Sequence, residues 1–256
     1  MSDMPEHSVL VVIPTYQEAD NIDTVLSRVR AALPAATVLV VDDNSPDQTA
    51  DRAEKVGEKL GQIEVLRRPG KSGLGSAYRE GFQWGMQQGF DVLIEMDADL
   101  SHNPTDLPRL VEGIDTGADL VVGSRYVPGG AIPGWPAHRA LLSRYGNLYA
   151  RVLLRLKLND ATSGFRAYRA STVEKIHIED VRADGYGFQI EMAYRTTRVG
   201  AVVKEVPITF IDRVEGVSKM SSRIIVEALL LVTMWGVRDV VRKVIGRGSR
   251  VVQERP

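Results

Sequence analysis

Short apolar runs alternate with amphipathic stretches through the first half of the chain, and this alternation constrains the fold more than any other feature. Helices are expected from residue 18 and over 47–60, 74–88 and 105–114, where apolar residues recur at helical spacing. The apolar runs between them cover residues 9–13, 38–41, 64–66, 92–96 and 120–122. Such alternation predicts a single α/β domain whose mostly parallel, twisted sheet has helices on both faces.

Four of the predicted strands end at polar clusters. In chain order, the clusters are TYQE, DDNSPD, DAD and GSRY. Ligands of open parallel sheets bind at the carboxyl ends of the strands. We therefore expect the ligand site at the edge of the sheet where these clusters meet.

The pattern changes after residue 125. A loop rich in glycine and proline, VPGGAIPGWP, leads into a long amphipathic helix predicted over residues 138–158. A turn-rich segment, TSGFRAYR, precedes a helix over 188–198 and a strand over 202–208. A polar loop, DRVEGVSKMS, then leads into a last apolar helix and a basic tail. No linker rich in glycine or serine divides the chain into independent domains.

The composition excludes several classes of function. The chain has 256 residues, of which 44% are hydrophobic and 25% are charged. Its net charge of -1 provides no overall attraction to nucleic acid. The absence of cysteine excludes disulfides, thiolate metal sites and thiol nucleophiles. The four histidines are too scattered along the sequence to indicate a zinc cluster.

No segment of the sequence combines the length and the apolarity of a membrane span. The N-terminal residues, MSDMPEHS, lack the apolar core of a signal peptide. The most apolar stretch, residues 224–237, contains Glu227 and is shorter than the roughly 20 residues that a bilayer requires. We therefore expect a cytoplasmic protein without a transmembrane helix of its own.

Asp97 and Asp99, in the sequence DAD, carry the strongest single chemical signal. Two carboxylates separated by one residue point to the same side of an extended chain, so they can share a cation that grips a diphosphate. Hard oxygen ligands favour Mg²⁺ or Mn²⁺. A solvated turn at a strand end is the alternative interpretation, because the tripeptide is common.

The earlier segment GKSGLG is not a P-loop, since Val65 stands where the first glycine of that motif belongs. The segment stays a candidate phosphate contact.

Eight segments taken together resemble the family 2 glycosyltransferases, and within them the dolichol-phosphate (polyprenol monophosphate) mannose synthases. They are IPTYQEADNI, VVDDNSPDQTA, GKSGLGSAYREGF, MDADLSHNP, DLVVGSRYVPGG, DATSGFRAYR, GYGFQIEM and VPITFIDRVEGVSKMS. Each segment alone is a weak or moderate signal, but their order and spacing are specific from Ile13 to about Ser222. The resemblance implies a GT-A domain over residues 1–212, with a donor-binding half to about 125 and an acceptor half from about 126. Residues 213–256 would then form an acceptor loop, an amphipathic helix and a basic tail.

The resemblance also implies a donor site at the strand ends. The donor-binding positions would be Pro14, Tyr16, Glu18, Asp43, Lys71, Gly73, Leu74, Asp97, Ala98 and Asp99. For Asp43, capping of the following helix is a plain structural alternative. Asp97 and Asp99 match the ligands of the metal and the sugar diphosphate. A glutamine often stands where this chain has Ser101, and serine is a shorter, weaker metal ligand that a water can replace.

Three arginines match family positions assigned to the acceptor and leaving phosphates, namely Arg125, Arg139 and Arg213. The guanidinium group is a planar fork of donors that suits phosphate oxygens, whereas a surface salt bridge is the alternative for each arginine. Ser143, one helical turn beyond Arg139, is a further candidate for the acceptor phosphate. The resemblance thus makes Asp99 and the three arginines the catalytic set.

The implied activity is inverting transfer of mannose from GDP-mannose to a polyprenyl phosphate. A phosphomonoester is already anionic at neutral pH, with a second pKa near ~6, so it needs no general base. For Glu191, which lies near where related transferases place a base, we expect a structural or sugar-orienting role. Transfer of glucose from UDP-glucose to the same kind of acceptor stays open. So do a non-catalytic subunit that binds nucleotide sugar or lipid phosphate and, less favoured, a nucleotidyltransferase.

Polyprenyl phosphates reside in bilayers, so this activity requires contact with a membrane surface. The predicted helix over 138–158 is basic and amphipathic, as interfacial helices are. The tail from Arg213 onward has nine lysines and arginines against four acidic residues, the sign that an anionic leaflet attracts. The alternative is that both helices bury their apolar faces in the core. We expect peripheral attachment at the cytoplasmic face, and a membrane-embedded partner subunit, on which synthases without spans often depend, is a candidate partner.

Overall fold

The computed structural model of the chain describes residues 7–212 and 222–253, with side chains for residues 226–241 of the second segment. The described residues form a seven-stranded sheet in the order β3-β2-β1-β4-β6-β5-β7. Its strands are β1 (Val9–Thr15), β2 (Thr37–Asp42), β3 (Ile63–Arg67), β4 (Val92–Glu95), β5 (Leu120–Ser124), β6 (Arg166–Arg169) and β7 (Val203–Pro207). Neighbouring strands pair in parallel except at β6, which is antiparallel to β4 and β5. The predicted mostly parallel sheet is confirmed.

The helices follow the predicted alternation with the strands. They are α1 (Ile22–Ala32), α2 (Thr49–Leu60), α3 (Leu74–Gln87), α4 (Leu107–Asp115), α5 (Ala137–Leu154), α6 (Ala170–Lys175), α7 (Gly185–Arg198) and α8 (Ser222–Gln253). Short 3-10 turns at Pro104–Asp106 and Ile178–Asp180 precede α4 and α7.

The central strands are buried on both faces, which explains their continuous apolar sequences. In β1, Val11 and Ile13 pack into one core together with residues of α1, α2 and α4. Leu10 and Val12 pack into a second core with residues of α3 and α7 on the opposite face. Gly81 lets α3 approach the sheet closely, because a Cβ there would lie 2.5 Å from a methyl group of Val12.

The prediction of a turn-rich segment at TSGFRAYR is wrong for its second half, which forms β6. This strand carries a fully buried arginine, Arg166, which donates to three backbone carbonyls, including those of Ser163 and Gln189 at 2.7 and 2.8 Å. No period of apolar residues indicates the strand, because tertiary contacts rather than apolar side chains hold it in the sheet. The short helix α6, which follows directly, is likewise absent from the prediction.

Two helices, α5 and α8, pack against each other beside the sheet. α5 ends at Leu154, four residues before its predicted end, because Arg155 adopts a left-handed backbone conformation with φ 56°. Leu154 packs with Ala228 and Val232 of α8 in a third apolar cluster. The Tyr149 hydroxyl lies 2.8 Å from Thr233 Oγ1, and α8 also contacts α7.

Within residues 7–212 and 222–253, no helix is both long and apolar enough to cross a bilayer.

Candidate active site

A polar cavity of about 600 Å³ opens at the carboxyl ends of β1, β2, β4 and β5. This is the edge at which the sequence places the ligand site. The predicted residues that line the cavity are Pro14, Tyr16, Glu18, Asp43, Lys71, Gly73, Leu74, Asp97, Ala98, Asp99, Ser101, Arg125 and Arg139. Ser143 lines a neighbouring cavity instead, and Arg213 lies outside the described residues.

The two aspartates of the DAD sequence follow β4 directly. The strand ends at Glu95, one residue before its predicted end, and the chain bends from Ala98 onward, so the aspartates do not share the extended backbone assumed for their spacing. Asp97 accepts a hydrogen bond of 3.2 Å from the Tyr78 hydroxyl. Burial, and secondly the charge of Asp97, raise the pKa of Tyr78, which keeps this hydroxyl a donor at neutral pH.

Asp99 is held by a hydrogen bond within the turn that begins at this residue. Its Oδ1 accepts a hydrogen bond of 3.0 Å from the backbone N–H of Ser101. The Ser101 hydroxyl is buried and has no hydrogen-bond partner among the described residues. The side chains of Asp97, Asp99 and Ser101 therefore lie close together in the chain and line the same cavity. Each of the three bears oxygen atoms.

Asp43 holds a loop rather than capping α2. It forms a buried ion pair with Arg68 and accepts a 3.4 Å hydrogen bond from the backbone N–H of Ser72. Arg68 also donates to Ser76 and Glu80, at 2.6 and 2.8 Å. The capping alternative is wrong, and Arg68, which the sequence does not single out, ties the glycine-rich segment to β2.

The glycine-rich segment forms one lip of the cavity. The ammonium group of Lys71 lies 4.1 Å from the centroid of the Tyr16 ring, a distance typical of a cation–π contact. Gly73 has φ 93°, and a Cβ there would collide with the carboxylate of Asp184. That carboxylate accepts a 2.6 Å hydrogen bond from the N–H of Gly75, so it fixes the start of α3.

Arg125 is nearly buried and is held by a buried carboxylate. Its Nε and one terminal nitrogen donate to both oxygens of Asp160, at 2.7 and 2.6 Å, and it also donates to Thr162 at 2.8 Å. Burial opposes ionisation of both groups, but their mutual attraction raises the pKa of Arg125 and lowers that of Asp160. The surface salt bridge considered as the alternative is wrong for Arg125, because its partner is completely buried.

Arg139 lies at the start of α5 and also lines the cavity. It donates to Asp212 at 2.6 Å, and its guanidinium carbon lies 4.0 Å from the centroid of the Trp135 ring. Its Nε atom is buried and has no hydrogen-bond partner among the described residues. Ser143, one turn further along, accepts a 2.6 Å hydrogen bond from the hydroxyl of Tyr126.

A second, strongly apolar cavity of about 830 Å³ lies between α5 and α8. Its walls include Leu142, Tyr145, Leu148, Tyr149 and Val152 of α5 and Ala228, Leu229 and Val232 of α8. It shares Arg125, Trp135, Arg139, Thr162 and Tyr186 with the polar cavity. The two arginines therefore stand where a polar and an apolar cavity adjoin.

Several lining residues are missing from the sequence prediction, although they lie in motifs that carry the family resemblance or next to them. They are His102, Trp135, Thr162, Gly164, Asp184, Tyr186, Gln189, Phe210 and Asp212. The sequence does single out Glu191, which does not line the polar cavity. Its carboxylate accepts from the N–H groups of Arg182 and Ala183 at 3.1 and 3.0 Å and from Arg195 at 2.8 Å, a structural role.

Sequence comparison identifies the family to which the chain belongs. The profile of Glycosyl transferase family 2 matches residues 10–177. The chain is 51% identical over 228 residues to an undecaprenyl-phosphate mannosyltransferase of Micrococcus luteus, covering 89% of this chain and 93% of that protein. It is 47% identical over 235 residues to a polyprenol monophosphomannose synthase of Mycolicibacterium smegmatis, covering 91% and 89%. It is 38% identical to a dolichol-phosphate mannosyltransferase of Pyrococcus furiosus, covering 86% of this chain and 61% of that protein.

Solved structures share the fold at low sequence identity. One is glucosyl-3-phosphoglycerate synthase from Mycobacterium tuberculosis in complex with Mn²⁺, UDP-glucose and glycerol 3-phosphate. It has a TM-score of 0.65 at 18% identity and covers 89% of this chain and 79% of that one. Another is mannosyltransferase PcManGT from Pyrobaculum calidifontis with GDP-Man and Mn²⁺. Its TM-score is 0.63 at 17% identity, and the match covers 91% of this chain and 66% of that one. The predicted GT-A fold is confirmed, and with two relatives 47% and 51% identical over most of its length, the chain belongs to glycosyl transferase family 2.

Proposed function

We propose that the chain transfers mannose from GDP-mannose to a polyprenyl phosphate with inversion, giving polyprenyl phosphate β-mannose and GDP. The observation that carries the proposal is the junction of a polar and an apolar cavity at Arg125 and Arg139. An acceptor that joins a phosphate to a hydrocarbon chain fits this junction, with its phosphate at the arginines. The relatives named for undecaprenyl phosphate and polyprenol monophosphate support the same acceptor class.

The polar cavity is the proposed donor site. Its lip carries Tyr16 and Lys71, which we assign to the nucleoside, and its floor carries Asp97 and Asp99, which we assign to the sugar diphosphate. Mannose as the transferred sugar is supported by the names of all three relatives. GDP as its carrier is supported by the GDP-Man bound to PcManGT.

The donor set at the DAD turn suits a hard divalent cation. Asp97 and Asp99 supply carboxylate oxygens, and the buried, unpartnered hydroxyl of Ser101 is a third oxygen beside them. Within the described residues, no group of three or more acidic, histidine or cysteine side chains forms a complete metal cage. Mg²⁺ and Mn²⁺ are often held by one or two carboxylates together with substrate phosphates, which fits such an incomplete set. When bound, the cation would neutralise charge on the leaving diphosphate.

The proposed reaction forms a bond between an oxygen of the acceptor phosphate and the anomeric carbon of mannose. The bond from that carbon to the diphosphate breaks, and its electron pair leaves with GDP. Arg125 and Arg139 would hold the acceptor phosphate in line and offset its charge. Asp160 fixes Arg125 through two hydrogen bonds, so this arginine is oriented before any substrate arrives.

The remaining acceptor residues stay predictions. Arg213 is expected to contact the same phosphate, and replacing it by alanine should abolish transfer while donor binding is kept. Ser143 lines the apolar cavity and hydrogen-bonds Tyr126, so a contact with the acceptor would be made from that side.

The apolar surface of the molecule supports attachment to a membrane. Among the described residues, large exposed apolar side chains gather on α5 and α8. They are Leu141, Leu142, Tyr145, Leu148, Tyr149 and Val152 on α5 and Val226, Leu229, Leu230, Met234, Val237, Val240 and Val241 on α8. Many exposed apolar side chains on two packed helices favour an interaction surface, and the basic residues of both helices suit anionic lipid headgroups. We assign this surface to the cytoplasmic face of the membrane, where a membrane-embedded subunit is a candidate partner.

The proposed acceptor can be tested with purified protein and radiolabelled GDP-mannose. Polyprenyl phosphate, the corresponding polyprenol and 3-phosphoglycerate would be compared as acceptors in detergent. We expect label to pass to polyprenyl phosphate alone, because only that acceptor presents both a phosphate and an apolar chain. Labelling of 3-phosphoglycerate would contradict the proposal, and so would labelling of the alcohol.

A further inference from the structure

Gln189 is a buried polar side chain in the wall of the polar cavity. It lies on α7, lines the cavity and is only 3% exposed. Neither its Oε1 nor its Nε2 forms a hydrogen bond of normal geometry with another described residue. A buried polar group whose hydrogen bonds are incomplete is unfavourable by about 1–3 kcal/mol, so a ligand that completes the hydrogen bonds of this amide gains part of that free energy.

Because residue 164 is a glycine, the space between its backbone and this amide can take one further atom at ordinary contact distances. A Cβ built on Gly164 would lie 3.5 Å from Nε2 of Gln189. The same point lies 3.8 and 3.9 Å from the carboxylate oxygens of Asp97. A ligand atom near this point would therefore contact the amide and the first aspartate of the DAD turn together.

The position of this point relative to the aspartates indicates which part of the donor it meets. In a nucleotide sugar, the anomeric carbon carries the diphosphate, which we assign to Asp97 and Asp99. Carbon 2 of the hexose is the next atom, and mannose and glucose differ only in the orientation of its hydroxyl. An amide offers both a donor and an acceptor to hydroxyl groups, so it can select one orientation.

We propose that Gln189 recognises the hexose of the donor, by hydrogen-bonding the sugar hydroxyls next to the anomeric carbon in the space that Gly164 leaves open. The proposal rests on the proposed function, because it takes the aspartates as the diphosphate site. It adds a residue that sets the choice between mannose and glucose, which the nucleotide and acceptor contacts do not provide.

The buried carboxyl group of Glu95 interacts with this amide. Glu95 is fully buried below the cavity and does not line it. Burial raises the pKa of Glu95 to about 7, while Arg166 and the Gln189 amide oppose that rise. The interaction with Glu95 leaves hydrogen-bonding capacity on the amide, which would be presented to the sugar.

Three variants separate sugar recognition from a structural role. Gln189→Met keeps the length of the side chain and removes both polar atoms. Gly164→Ala places a methyl group in the proposed sugar space at ordinary contact distances from its neighbours. Thr196→Val is the matched control, because Thr196 lies on the same helix, is completely buried and has an unpartnered hydroxyl, yet does not line the cavity.

The measurements are kcat/KM with GDP-mannose and with GDP-glucose, and the Kd of GDP and of GDP-mannose, for the full chain. We expect Gln189→Met and Gly164→Ala to lower kcat/KM for GDP-mannose by roughly 10- to 100-fold, to lower the preference for mannose over glucose, and to leave the Kd of GDP within about twofold. Thr196→Val should change none of these values.

An unchanged preference between the two sugars in both variants would overturn the proposal. So would a loss of affinity for GDP as large as the loss of affinity for GDP-mannose. Failure of the proposed function is a separate result, since the wild-type chain would then transfer mannose to no polyprenyl phosphate. In that case the ratio of the Kd values for GDP and GDP-mannose still decides the role of Gln189.

Discussion

The two sides of the active-site cavity are built in different ways. On the donor side, residues at the ends of β1, β2 and β4 are held by buried contacts, such as the ion pair between Asp43 and Arg68. On the acceptor side, α5 and α8 pack against each other through a small apolar cluster and leave much of their apolar surface exposed.

This difference matches the chemistry of the two proposed substrates. A nucleotide sugar is a polar ligand of fixed shape, which is bound best by groups that are already in place. A polyprenyl chain is apolar and resides in a bilayer, so its site can share an apolar surface with the membrane itself. Arg125 and Arg139 stand where both sides meet.

The largest expected effect on activity is on the donor side. Replacing Asp99 by alanine removes a proposed metal ligand and should lower transfer by about a thousandfold or more, with the fold intact. Mannose transfer and circular dichroism would be measured together. Asp106→Ala, at a partly exposed ion pair outside the cavity, is the control and should keep nearly normal activity. Normal turnover by the Asp99 variant would refute the metal assignment.

The largest expected effect on stability is at Asp160, which is completely buried beneath Arg125. Asp160→Asn leaves the arginine buried without its counter-charge and should lower the free energy of unfolding by about 3–5 kcal/mol. Denaturant titration at pH 7 measures this change. Asp51→Asn, which removes one exposed partner of Arg67, should cost less than about 1 kcal/mol. Equal losses in the two variants would contradict the distinction between a buried and an exposed pair.

The ion pair between Asp160 and Arg125 also predicts that the stability of the protein depends on pH. Asp160 has a pKa below its ordinary value of 3.8 in the folded protein, despite burial, because Arg125 stabilises its charge. Its contribution is therefore complete above the unfolded pKa and is lost as pH falls from about 4 toward the lower folded pKa. Unfolding free energies at pH 7 and pH 3 should differ more in the wild type than in Asp160→Asn. A larger difference in the variant would reverse the assigned sign.

A moderate effect is expected on the acceptor side. Replacing Leu142 and Leu229 by serine makes the apolar cavity more polar without touching the donor side. The variant should raise KM for a long polyprenyl phosphate by about tenfold and leave KM for GDP-mannose unchanged, because only burial of the lipid chain is weakened. Substitution of Leu60, an exposed leucine on α2, is the control. Equal changes in both KM values would show that the two sides are not separable.

The smallest effect is expected at the lip of the donor site. Lys71→Met removes the cation–π contact with Tyr16, worth about 0.5–1 kcal/mol at an exposed site. The Kd of GDP should rise by only a few-fold, as titration calorimetry would show. A hundredfold loss would mean that Lys71 contacts the phosphates directly.

The sequence predicts the donor side better than the acceptor side. Strand ends are visible as apolar runs closed by polar residues, so the amino-acid pattern alone places Asp43, Asp97 and Asp99 at one edge of the sheet. Asp160 could not be linked to Arg125, because the two residues are 35 positions apart and no local pattern joins them. Only the fold brings such partners together.

Buried polar residues explain the other features that the sequence does not predict. β6 has no apolar period, since the buried Arg166 takes the place of an apolar side chain. Gln189 lies in a helix whose sequence indicates only that it is helical, and its burial beside Gly164 depends on contact with another segment. The apolar faces of α5 and α8 are visible in the sequence, but the cavity between them requires their packing.

The most direct test of the central claim is transfer of radiolabel to polyprenyl phosphate by the purified chain, from GDP-mannose and from UDP-glucose, each with Mg²⁺ or Mn²⁺ and with a chelator. We predict labelling from GDP-mannose that requires the metal, and none from UDP-glucose. Labelling from UDP-glucose alone, or labelling that persists in chelator, would contradict the proposed activity.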